Sequence, residues 1–156
     1  MKYADTKIVF REVPDEITLA VNISGCPVGC KGCHSPYLAE DLGEVLDERS
    51  VEALLAANSG ITCISFMGGD ADPSWVAHLC RFVREKYPSL KTCWYSGRGL
   101  EKAAEVLPWL DYVKVGPWIA EFGPLDSETT NQRFYAVSDG GATLEDRTSR
   151  FLKKVF

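Results

Sequence analysis

The sequence predicts an α/β fold: an incomplete (β/α) barrel with a mostly parallel sheet and its functional loops at the C-terminal ends of the strands. Three observations lead there. Short apolar stretches with strand character alternate with amphipathic stretches of helical period, the pattern of βαβ units. The chain has 156 residues, enough for one domain, whereas a closed eight-fold barrel typically takes about 250. The strands run into loops rich in glycine, serine and cysteine, and α/β folds gather their sites at the carboxyl ends of the strands. A single domain over 1–156 is expected.

Ile8–Val13 and Ile17–Ser24 flank the turn "PDE" and read as a hairpin. In the second strand Ile17, Leu19, Val21 and Ile23 recur with period two. "DERSVEALLAANSG" reads as a helix with Val51, Leu54 and Leu55 on one face, stopped at Asn58-Ser59-Gly60. Ile61–Phe66 is an apolar run suited to a buried parallel strand. Asp72-Pro73 suits a helix start, and Val76, Leu79, Cys80 and Val83 give that helix an inward stripe. Lys91–Ser96 reads as a strand. Leu100, Ala103, Ala104 and Leu107 suggest a helix ended by Pro108, and Asp111–Gly116 a further strand. From 117 to 156 turn-forming residues dominate. An irregular segment bordering the site is expected there, with "RFYAV" as one short strand.

The net charge is −5 and no lysine/arginine run exists, so nucleic-acid binding is disfavoured. No apolar run reaches the roughly 18 residues of a membrane span, and the first residues lack the apolar core of a signal peptide. A cytoplasmic protein is expected, in which thiols stay reduced. Three of the six cysteines fall within "SGCPVGCKGCHSP", spaced C-x3-C-x2-C. In a reducing compartment such a cluster points to metal binding or catalysis rather than to disulfides.

Thiolate is a soft ligand that selects iron–sulfur clusters, zinc or copper(I). Three readings stay open on spacing alone. Cys26, Cys30 and Cys33 hold three corners of a [4Fe–4S] cluster and leave one iron free. Alternatively, His34 completes a Cys3His zinc site in an interaction module, although adjacent Cys33 and His34 chelate one ion under strain. In the third reading the cysteines are simply reduced thiols. A glycine before each cysteine favours a backbone that wraps closely around a cluster. Cys63 and Cys93 within strands, and Cys80 on an apolar helix face, read as small core residues. His78 reads as a helix-surface residue.

The stretches "SGCPVGCKGCHSP", "FMGGDADP", "CWYSGR", "DYVKVG" and "TTNQRF" occur in an order that resembles the radical S-adenosylmethionine enzymes. Within that family they look most like the activating proteins of anaerobic ribonucleoside-triphosphate reductase. The glycine of "KGC" is common in those activators, where many radical enzymes carry an aromatic residue. The resemblance implies a [4Fe–4S] cluster on Cys26, Cys30 and Cys33, with S-adenosylmethionine on its fourth iron. It implies cofactor contacts from Gly32, Cys33 and His34, from Gly68, Gly69 and Asp70, and from Ser96. Asn131, Gln132 and Arg133 would border the site or meet the partner. The implied activity is reductive cleavage of S-adenosylmethionine to a 5′-deoxyadenosyl radical, which takes a hydrogen from a glycine of the reductase. No catalytic side chain beyond the cluster and cofactor is implied, and a low-potential one-electron donor is. A different glycyl-radical enzyme as partner, or radical modification of a peptide, would use the same residues.

Overall fold

The computed structural model describes residues 1–152; the last four residues of the 117–156 segment lie outside them. Eight strands form one mixed sheet, with two α-helices in the described residues. The strands are β1 (Lys2–Val9), β2 (Thr18–Ile23), β3 (Glu44–Val45), β4 (Cys63–Met67), β5 (Lys91–Tyr95), β6 (Tyr112–Val115), β7 (Arg133–Ser138) and β8 (Thr143–Asp146). Their order across the sheet is β3-β1-β2-β4-β5-β6-β7-β8. The three pairings among β2, β4, β5 and β6 are parallel, and the pairings outside them are antiparallel. The sheet is not closed into a barrel.

The helices form where their ends are capped and one face can be buried. Helix α1 (Glu48–Ala57) opens on a reciprocal cap: Ser50 N donates to Asp47 Oδ1 and Asp47 N donates to Ser50 Oγ, both at 2.9 Å. Helix α2 (Pro73–Lys86) starts with Asp72 as its cap, accepting from Trp75 N at 3.1 Å, and with proline in its first turn. Both lie against one face of the sheet. Strand alternation sends Leu19, Val21, Ile23, Ile64, Phe66, Trp94, Val113 and Val115 to that face, where they pack with Val51, Val76, Leu79, Cys80 and Val83. The opposite face carries Cys63, Cys93, Tyr112 and Phe134, covered by Val13 and Phe151.

Three elements differ from their sequence reading. The first strand is Lys2–Val9, not Ile8–Val13. Its polar residues Lys2, Asp5, Thr6 and Lys7 hide it from an apolar scan, yet they suit a strand that is half-covered at most. Val13 is fully buried but belongs to the loop. Secondly, the stretch from Leu100 to Leu107 holds no α-helix. It makes two short 3-10 turns, Leu100–Lys102 and Leu107–Trp109. Between Gly99 and Pro108 there is too little chain to recover the cost of helix nucleation. Ala103 and Val106 nonetheless reach the core. Finally, the segment after 117 holds more regular structure than one short strand: β7 and β8 form an antiparallel pair, and "RFYAV" lies within β7.

At the amino ends of the parallel strands a buried carboxylate acts as a pin. Glu16 accepts from Lys91 Nζ at 2.7 Å, Tyr112 Oη at 2.8 Å and Thr62 Oγ1 at 2.5 Å, which ties β2 to β4, β5 and β6. Burial pushes its carboxyl pKa up, but the hydrogen bonds from these three donors outweigh burial and hold it below the ordinary 4.5. Replacing Glu16 with alanine should destabilise the protein by about 2 kcal/mol near neutral pH. Because the folded value lies below the unfolded one, this stabilisation is complete above about pH 4.5 and is lost as pH falls through the folded value. Urea unfolding of both proteins across the acid range should therefore show the wild-type advantage shrinking towards low pH.

Candidate metal centre

Parallel pairing sends β2, β4, β5 and β6 off the sheet at one edge. Each enters a loop there: 24–35 after β2, 68–72 after β4, 96–99 after β5 and 116–132 after β6. The first loop carries the three clustered cysteines. Backbone hydrogen bonds anchor both its ends, from Gly25 N to Glu40 O at 2.9 Å and from Cys26 N to Leu38 O at 2.8 Å. Within it, Gly25, Gly29 and Gly32 take φ values of 74°, 68° and 73°, a region that disfavours any side chain. Each of the three cysteines thus follows a glycine in the left-handed region.

Cys26, Cys30 and Cys33 line one cavity of about 700 Å³. Cys26 and Cys30 are half-buried and Cys33 is exposed. Among the described residues no three His, Cys, Asp or Glu side chains converge on a single ion. A cubane asks for something else, one thiolate for each iron it anchors. Ser35 N donates to Cys33 Sγ at 3.4 Å. The ring of His34 rests against Trp118, its centroid 4.5 Å away and its plane tilted by 57°. Cys63, Cys80 and Cys93 lie away from the loop, buried, and burial pushes each thiol pKa upward. His78 stands on the surface of α2, 2.8 Å from Glu48.

The other loops complete the cavity wall, and they also bind one another. Gly68 has φ 102° and Gly69 φ 91°. A methyl group on Gly69 would sit 2.6 Å from Val76 Cγ2, so helix packing alone demands glycine there. Gly68 is engaged on both sides, its N–H donating to Tyr95 O at 2.9 Å and its carbonyl accepting from Trp94 Nε1 at 2.7 Å. Asp70 is buried and accepts from Ser96 Oγ at 2.5 Å and Gly97 N at 3.0 Å. Ser96 Oγ in turn accepts from Arg98 N at 3.0 Å. These two side chains lock the loop after β4 to the loop after β5.

The triplet after 130 divides. Gln132 is buried and lines the cavity. Asn131 Nδ2 donates to Pro117 O at 3.0 Å and fixes the loop after β6. Arg133 is exposed, 3.9 Å from Asp146. A second cavity of about 910 Å³ shares His34, Met67, Tyr95, Lys114 and Gln132 with the first and runs out towards Phe10 and Leu152.

Sequence reasoning missed two residues. Lys114 is buried on β6 and lines both cavities; its ammonium donates to Gly116 O at 2.8 Å and to Ser96 O at 3.4 Å. Burial lowers its pKa to about 8, against the opposing pull of Asp70 and Cys30. The signal was a lone lysine inside an apolar strand, "YVKV". Trp118 lies next to the thiol loop with its indole N–H buried and without an acceptor among the described residues. A donor left in that state costs about 1–3 kcal/mol.

Residues 17–132 match a family model described as a 4Fe-4S single cluster domain. The match covers more than half of the chain, which therefore belongs to this iron–sulfur family. No curated protein and no solved structure matches the chain. Three soft thiols on one cavity wall, a loop of left-handed glycines and an unpartnered N–H beside them fit such a cluster. Among the described residues no helix is long and apolar enough to cross a membrane.

The buried ammonium of Lys114 should leave a pH signature. Below about pH 8 both folded and unfolded chains carry its proton and the burial penalty is complete; above that the folded state sheds it first. Measured by urea unfolding between pH 7 and 10.5, wild type should gain on the order of 3 kcal/mol relative to Lys114→Met. An unchanging difference would place the ammonium in water.

Proposed function

We propose that the protein is a radical S-adenosylmethionine activase that installs a glycyl radical on anaerobic ribonucleoside-triphosphate reductase. The observation that carries this reading is the meeting of the three-thiol loop with the "MGGD" and "SGRG" loops around one cavity. On this reading the open sheet is part of an incomplete barrel, and Cys26, Cys30 and Cys33 hold a [4Fe–4S] cluster. When bound, that cluster supplies one electron for reductive cleavage of S-adenosylmethionine to methionine and the 5′-deoxyadenosyl radical.

The chain's own residues bind and orient. Asp70 and Lys114 put opposite charges into one cavity, suited to the ammonium and carboxylate of an amino-acid moiety. Gly68 lines the cavity, while Gly69 beside it is set by packing against Val76. Ser96 holds Asp70 in place and so acts as a positioning residue. The backbone of Gly32, Cys33 and His34, with the His34 ring, offers a face to the nucleoside. Gln132 faces the interior, while Asn131 sets the loop above it and Arg133 is placed to meet a partner. The second cavity gives a glycine-bearing segment of the reductase a route from solvent to the first. A cytoplasmic setting would keep the thiols reduced and supply the low-potential electron donor.

Anaerobic reconstitution should give about four iron and four sulfide per chain. Alanine at Cys26, Cys30 or Cys33 should abolish the cluster. With dithionite and S-adenosylmethionine, the intact protein should release 5′-deoxyadenosine and raise a glycyl electron-spin signal on co-incubated reductase. One tightly held zinc and no sulfide would sink the cluster reading in favour of a zinc-stabilised interaction module. A cluster that yields no 5′-deoxyadenosine in cofactor-bound protein would sink the radical reading. 5′-Deoxyadenosine without a glycyl signal would move the activity to another glycyl-radical enzyme or to a peptide.

A further inference from the structure

We propose that the indole N–H of Trp118 donates a hydrogen bond to sulfur of the bound cluster, either a bridging sulfide or the Cys33 thiolate, and raises the cluster's reduction potential. The inference rests on the iron–sulfur family and on Cys33 as a ligand; radical chemistry plays no part in it.

Trp118 belongs to the loop after β6, and its ring helps to wall the cavity that Cys26, Cys30 and Cys33 line. Its Nε1 is buried and meets no acceptor among the described residues. It lies against Gly32, the residue just before Cys33: a methyl group built there would stand 3.6 Å from Nε1. Gly32 therefore does two things. Its φ of 73° shapes the loop, and its missing side chain lets the backbone before Cys33 close over the buried Nε1. The tilted His34 ring lies against it, its centroid 4.5 Å away, and the bond from Asn131 Nδ2 to Pro117 O holds the preceding residue.

A buried N–H persists where an acceptor completes it. The acceptors that this loop is built to hold are electron-rich sulfurs. Reduction adds negative charge to the cluster, so a donor aimed at sulfur stabilises the reduced state more than the oxidised one. Trp118 is thus a positioning and tuning residue, not a catalytic one.

The test uses reconstituted, cluster-loaded protein. Trp118→Phe keeps the ring volume approximately and removes the donor. It should retain wild-type iron and sulfide, while the ratio of reduced to oxidised cluster at a fixed poise falls about tenfold, which is about 59 mV downward for a one-electron couple. Wild-type potential at full cluster content overturns the proposal. A variant that fails to hold the cluster leaves the decision to the wild-type protein. With ¹⁵N-labelled tryptophan, pulsed electron-spin spectra of the reduced cluster should show an indole nitrogen and a proton that exchanges in ²H₂O. Absence of that coupling overturns the proposal, as does coupling that appears only when S-adenosylmethionine is added.

Discussion

The parallel pairing of β2, β4, β5 and β6 fixes where chemistry can occur in this chain. Four strands that run the same way leave the sheet along the same edge, so four loops distant in sequence become neighbours without any of them attracting the others. The arrangement needs a pin at each end. At the amino ends Glu16 gathers Lys91, Tyr112 and Thr62. At the carboxyl ends Asp70 gathers Ser96 and Gly97. Both pins are carboxylates in buried positions that accept hydrogen bonds from the segments they join, the condition under which a buried charge is tolerated.

The two faces of the sheet serve different ends. One is filled by helices α1 and α2 and is largely apolar, with Thr92 as a buried polar residue on it. No α-helix of the described residues lies over the other, and along it the alternation of the same strands places Asn22, Met67, Tyr95 and Lys114 in a hollow. The same β6 that buries Val113 and Val115 on the first face therefore presents an ammonium on the second. That incompletely filled part of the face shares its cavity with the thiol loop.

Much of the central architecture was legible because apolar patterning is strong where strands are covered on both sides. The runs Ile61–Phe66 and Asp111–Gly116 read as strands in that way and overlap β4 and β6. The first strand did not, because Lys2, Asp5 and Lys7 are admitted only by its half-open position, a tertiary circumstance. The stretch from Leu100 to Leu107 carried the right spacing for a helix but lacked the length to nucleate one. At the site, cysteine and glycine chemistry was readable from spacing. The work done by Asp70 and Ser96 was not, since their mutual bond depends on two loops meeting. Trp118 was invisible for the same reason, and the lone lysine of "YVKV" marked Lys114 without showing its role: an unpartnered indole or a buried ammonium is a property of surroundings.

The sheet ends at both sides in strands that discourage further pairing. β3 is two residues long and exposed, and beyond its reach β1 carries Asp5 and Lys7. At the other side β8 is four residues long and ends in Glu145-Asp146. Short, charged borders of this kind resist the addition of another chain's strand. On the proposed function, the partner would then be received through side-chain contacts at the second cavity, where Phe10 is 67% exposed, and recognition would depend on shape and apolar contact rather than on backbone hydrogen bonding.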